Sequence, residues 1–178
     1  MQYSELTLAE YSDYDAYYIG LVQGGELGPT LLASLASVEK FFADLPVELH
    51  EYRYAPGKWT IKDVLQHLID VERIFAYRML RYARADTLPL PGFDVDAYGR
   101  VQTTAGRPLA DLLGEFSLLR RATVRMLMSF SPAELCRQGT ASGLTASVRA
   151  LGFKLVGHDR HHCGVVRDNY LGAGAGAK

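Results

Sequence analysis

The chain has 178 residues, enough for one domain with a sizeable core. Its 19 basic and 20 acidic residues leave a net charge of −1, so there is no basic surplus to hold nucleic acid or an anionic membrane surface. Two cysteines, Cys136 and Cys163, make no disulfide framework, and no apolar run reaches the ~20 residues needed to span a bilayer. The N-terminus is polar and acidic, so a cytoplasmic, reducing setting with free thiols is expected.

Four segments carry helical periodicity. The first runs from about Pro29 to Ala43, with Leu31, Leu32, Leu35, Val38, Phe41 and Phe42 at spacings of three and four. Gly28-Pro29 opens it and Leu45-Pro46 closes it. The second runs from about Ile61 to Arg84. Thr60 is a good N-cap, and Asp63 follows in the first turn, where a carboxylate favours the helix dipole. A connection of some twenty residues, Asp86 to Arg107, carries Phe93, Asp94, Asp96 and Tyr98; a loop of that length is often functional.

The third helix runs from about Leu109 to Phe130, and Ser131-Pro132 ends it. The fourth runs from near Thr145 to about Leu171, interrupted by Gly152, Gly157 and Gly164. Each glycine costs about 1 kcal/mol of helix propensity against alanine, which close helix packing or room for a ligand would offset. Residues 172–178, GAGAGAK, read as a disordered tail of a single domain spanning 1–178. Alternating strand patterns are nearly absent, Glu51-Tyr52-Arg53-Tyr54 being the one short candidate. Four amphipathic helices imply an all-α four-helix bundle. The tyrosines near the N-terminus, Tyr11, Tyr14, Tyr17 and Tyr18, suggest a packed extension or a homodimer surface.

Three of the five histidines fall in Gly157-His158-Asp159-Arg160-His161-His162. His158 and His162 are four apart and share a helix face, where they either ligate one ion or form a surface cluster. His161 is rotated about 100° from His162 and faces the rim. His67 lies on the second helix within the stripe of Val64, Leu65, Leu68 and Val71. A buried imidazole there needs partners, as a core hydrogen-bonder or as a ligand. Two histidines from one helix and one from another leave an open coordination position, as in catalytic rather than structural zinc sites. His50 sits in a loop with no helical partner.

These residues resemble the DinB/YfiT-like family of metal-dependent enzymes. The matching segments are Tyr52 to Thr60, Asp63 to Arg73, Leu90 to Asp94 and Gly157 to His162, within a similarity running from about Tyr17 to Leu171. The resemblance implies a four-helix bundle, up-down-down-up, with a long crossover between the second and third helices. It implies a three-histidine centre for one divalent transition metal, zinc or nickel, held by His67, His158 and His162. It also implies a small-molecule substrate, and relatives that use low-molecular-weight thiols such as bacillithiol or mycothiol.

Neutral imidazoles leave a divalent ion its full charge, so both hydrolysis and thiol S-transfer are open. Candidates for other roles are Arg78, within about 20° of the face of His67 and suited to clamp a carboxylate or phosphate, and Asp94 and Tyr98 in the connection. With Phe93 they would cover the mouth of the site or form a hydrophobic plug. Asp63 and Asp70 lie within one turn of His67 and either orient its ring or sit solvated on the surface. Trp59 packs the start of the second helix. The competing expectations are a non-catalytic metal-binding stress or sensor module and a metal-free helical dimer.

Overall fold

The apolar stripes of four helices meet in two stacked core layers. The structure, a computed structural model, describes residues 1–102 and 104–172, so the tail expected to be disordered lies, beyond Gly172, outside the described residues. The bundle helices are α2 (Leu27–Ala43), α3 (Ile61–Ala83), α5 (Leu109–Met128) and α7 (Val148–Val166). Between them lie α1 (Asp13–Gly20), α4 (Val95–Val101), α6 (Pro132–Cys136) and the strands β1 (Gln138–Ala141) and β2 (Leu144–Ser147).

The two layers fix the direction of every bundle helix. One joins Leu27 and Leu31 from the start of α2, Met79 from the end of α3, Leu127 from the end of α5 and Leu151 from the start of α7. The other joins Phe42, Leu65, Leu112 and Val166 from the opposite ends. The helices therefore run up, down, down, up. Parallel neighbours α3 and α5 cannot be joined by a tight turn, and the connection from 84 to 108 returns the chain along the bundle.

Local chemistry sets the ends. The Thr60 hydroxyl accepts from the Asp63 N–H at 3.0 Å, and the Asp63 carboxylate accepts from the Thr60 N–H at 2.9 Å, a reciprocal cap for α3. α2 starts two residues before the expected Pro29, which occupies the first turn where its missing N–H has no helical acceptor.

The chain departs from its expected reading at two places. Residues 145–147 are strand, not helix, because β1 and β2 pair antiparallel across Ser142 and Gly143, whose φ values of 54° and 75° suit a two-residue hairpin turn. The fourth helix begins only at Val148, capped by the Ser147 hydroxyl accepting from the Ala150 N–H at 3.1 Å. Glu51 to Tyr54, the one short strand candidate, forms no strand. Within the connection, residues 95–101 coil into α4, while Leu90 pairs with the hairpin through its N–H to the Thr140 carbonyl at 2.9 Å.

Of the N-terminal tyrosines, Tyr14, Tyr17 and Tyr18 lie on α1, which packs along α7 and leaves Tyr14 and Tyr17 exposed. The approach is so close that a Cβ at Gly157 would stand 1.8 Å from the Tyr18 carbonyl oxygen, and one at Gly152 would stand 2.9 Å from a Leu27 methyl. Those two glycines serve helix packing; nothing lies within 4 Å of a Cβ at Gly164, and the structure gives it no role. Among the described residues, no helix is long and apolar enough to cross a membrane.

Candidate metal centre

α3 and α7 pack side by side and bring three imidazoles to one point. The Nε2 of His158 lies 3.1 Å from the Nε2 of His67 and 3.1 Å from that of His162. One ring nitrogen from each residue lies within 4.8 Å of the other two. His67 and His158 are buried and His162 is half-buried.

A simple pairwise hydrogen bond uses one of these two contacts at a time. An imidazole nitrogen carries either one hydrogen or one in-plane lone pair. The His158 Nε2 faces two other ring nitrogens at hydrogen-bond distance, and it can satisfy one of them. A cation between the rings would accept all three lone pairs. Donors at about 2.0–2.1 Å around a tetrahedral ion stand about 3.3 Å apart, close to the two spacings found here.

Electrostatics keeps those lone pairs free. Burial, followed by the charge of His161, lowers the pKa of His67 to about 4. Burial, then His67 and His161, lowers that of His162 to about 2. Burial and the neighbouring rings and Lys154 hold His158 well below its usual range. Near neutral pH all three are unprotonated and compete for a metal without losing a proton.

A pH dependence follows for the chelator-treated protein. Above about pH 6.5 neither the folded nor the unfolded chain protonates these rings. Below it the unfolded chain takes up protons that the folded chain refuses, so stability falls as pH falls. Each such ring removes up to about 1.4 kcal/mol per pH unit, and His67 alone accounts for on the order of 3 kcal/mol by pH 4. Urea unfolding at pH 7, 5 and 4 should show midpoints falling in that order; a flat profile would contradict the assigned burial.

The surrounding residues sort themselves by what they touch. The Trp59 ring lies 5.0 Å from that of His67, and the Tyr18 ring lies 5.5 Å from that of His158. His161 points to the rim, where its Nδ1 meets the Tyr17 hydroxyl at 3.0 Å. Neither aspartate near His67 orients it. Asp63 is committed to the helix cap, the Thr104 hydroxyl at 2.9 Å and Arg53 at 3.2 Å; Asp70 accepts from the Gln66 amide at 2.9 Å.

Beside the cluster lies a cavity of about 290 Å³ that reaches His67 and His158. Its walls are largely apolar, including Val71, Phe75, Phe93 and Leu151. Of the further candidates, Arg78 lines it and Asp94 and Tyr98 do not. Asp94 caps α4 by accepting from the Ala97 N–H at 3.0 Å. Tyr98 is exposed and packs on Phe93 at 5.4 Å. Phe93 lines the cavity from the connection.

Two cavity features were not expected from the sequence. The Lys154 ammonium pairs with Asp15 at 2.5 Å, over the rings of Tyr14 at 4.8 Å and Phe75 at 4.9 Å. Its place four residues before His158, on the same helix face, was the available signal. Burial and the neighbouring Tyr14 phenol raise the pKa of Tyr18, which keeps that phenol protonated as a donor. Neither cysteine lines the cavity: Cys136 is exposed, and burial, then Asp159, pushes the Cys163 thiol up to about 12.

Behind the histidines, Arg120 is fully buried between two carboxylates. It donates to Glu72 at 2.9 and 3.0 Å and to Asp159 at 2.9 and 3.2 Å, and Ser34 donates to Asp159 at 2.6 Å. Asp159 follows His158 directly, so this network holds the turn of α7 that carries two of the three rings.

Comparison with known proteins agrees with this architecture. Among solved structures, YfiT from Bacillus subtilis, described as a probable metal-dependent hydrolase with an unusual four-helix bundle topology, is similar with a TM-score of 0.71 and 16% identity, over 92% of this chain and 90% of that one. No curated protein matches the chain. The model of the DinB superfamily matches residues 30–166, a stretch containing all three histidines. The chain belongs to the DinB superfamily.

Proposed function

We propose that His67, His158 and His162 hold one divalent transition metal, zinc or nickel, and that the protein is a metal-dependent hydrolase of a small molecule bound in the adjoining cavity. The observation that carries this reading is the single His158 nitrogen facing two others at 3.1 Å. When bound, the ion would supply Lewis acidity, which brings water or a thiol within reach of deprotonation near neutral pH. The description of YfiT as a probable metal-dependent hydrolase supports the same class of chemistry.

The chain's own residues supply binding and exclusion of water. Phe75, Phe93 and Leu151 present apolar walls, and Tyr18 offers a phenolic hydrogen-bond donor next to His158. The protein has no thiolate at the site, so the nucleophile comes from solvent or from a second substrate. Metal-loaded protein is therefore expected to release p-nitrophenol from p-nitrophenyl acetate without added thiol, with activity lost on chelation and restored by metal. Release only when a low-molecular-weight thiol is added would replace hydrolysis by S-transfer. No turnover by fully loaded protein under either condition would favour a non-catalytic metal-binding module.

A further inference from the structure

Among the described residues, Arg78 is a buried cation with no carboxylate in salt-bridge contact. Its residue is 8% exposed, and it lines the cavity. Among the described residues its Nη2 donates at 3.1 Å to the Ser142 hydroxyl and 3.4 Å to the Pro91 carbonyl. The guanidinium lies between the rings of Phe75 at 5.4 Å and Phe93 at 5.8 Å. Both acceptors are neutral. Burying a charge without a counter-charge costs several kcal/mol, so buried arginines are normally paired. Arg120 shows the usual solution, with a carboxylate on either side.

The other charges on the cavity wall cancel. Lys154 and Asp15 pair with each other at 2.5 Å, leaving Arg78, among the described residues that line the cavity, as the charged group with no ion-pair contact. A single positive charge matches a monoanion, and the planar fork of arginine matches a carboxylate. Arg78 lies eleven residues beyond His67 on the same face of α3, which is about 16 Å along the helix axis. Val71 and Phe75 lie between them on that face, and Leu151 faces them from α7. The cavity is thus a slot with the histidines at one end, an apolar middle and a lone cation at the other end.

We infer that this slot takes an elongated monocarboxylate, its carboxylate paired with Arg78, its apolar body along Val71, Phe75 and Leu151, and its opposite end at the three histidines. The volume of about 290 Å³ is roughly ten water volumes, which suits a ligand of about ten non-hydrogen atoms. The placement of the reacting end rests on the metal-dependent reading above; the carboxylate contact does not.

The test uses chelator-treated protein, so that no metal competes for the carboxylate, and titrates it calorimetrically with octanoate, octan-1-ol and octyl phosphate. Octanoate is expected to bind at least tenfold more tightly than octan-1-ol and more tightly than octyl phosphate. Arg78→Met should weaken octanoate at least tenfold and leave octan-1-ol within twofold. If that variant fails to fold, Arg78→Lys, which keeps the charge and loses the fork, should weaken octanoate severalfold with octan-1-ol unchanged. Equal affinity for octanoate and octan-1-ol, tighter binding of octyl phosphate, loss of both ligands together, or no binding of any probe to folded protein would each overturn the proposal. Elemental analysis of the same preparation before chelation separates the two readings: Arg78-dependent octanoate binding by protein that never held metal would refute the metal centre alone.

Discussion

Replacing His158 by alanine is expected to take the metal content of purified, untagged protein from near one ion per chain to near none. His158 is the ring whose Nε2 faces both others at 3.1 Å, so its loss leaves two imidazoles that no longer share a neighbour. Altering even an outer partner of a metal ligand typically lowers affinity 10–100-fold, and loss of a ligand itself should exceed about 100-fold. Metal-dependent turnover should fall to background with it. His67→Ala and His162→Ala should behave alike. His161→Ala should keep its metal, because that ring bonds Tyr17 at the rim. Elemental analysis of all four variants reads the result, and unchanged metal in His158→Ala would refute the assigned ligands.

The largest loss of stability is expected at Arg120. Its side chain is 0% exposed and lies between Glu72 and Asp159, which are 1% and 3% exposed. Arg120→Met removes the cation that pairs with both Glu72 and Asp159 and leaves the two carboxylates in place. Breaking a buried pair in this way costs about 3–5 kcal/mol. For a chain of this size that lowers Tm on the order of 10 °C. The pH dependence has a definite sign. Burial already raises the pKa of Asp159 against the pull of Arg120, and without Arg120 it rises further. The folded variant then takes up a proton at higher pH than the unfolded chain does, so the deficit relative to the parent shrinks as pH falls. Thermal unfolding of both proteins at pH 8 and pH 5 measures it. A deficit below about 1 kcal/mol would mean that the network contributes little.

The sequence revealed whatever depends on period and spacing. The buried faces of α2, α3 and α5 lie where leucines, valines and phenylalanines recur at threes and fours. The i, i+4 spacing of His158 and His162 and the place of His67 inside an apolar stripe were enough to expect their convergence. What escaped depends on contacts between distant segments. Arg120 reaches Glu72 across 48 residues and Asp159 across 39, and each of the three reads in isolation as an ordinary surface charge. Asp15 pairs with Lys154 across 139 residues for the same reason. The hairpin escaped because its strands are only four residues each, and the closeness of Gly139 to the Tyr82 ring is a tertiary fact. Asp94 looked available for chemistry because the connection read as loop; once residues 95–101 coil, its carboxylate is occupied as an N-cap. Arg78, placed by its helix phase, does face the cavity, and its lack of a carboxylate partner becomes visible only in three dimensions.

X-ray diffraction collected on either side of the zinc and nickel absorption edges tests the central claim most directly. One anomalous peak per chain is expected between α3 and α7, about 2.0–2.1 Å from a nitrogen of each of His67, His158 and His162. Protein exposed to both metals that shows no peak there, or an ion bound elsewhere with these three rings apart, would contradict the account.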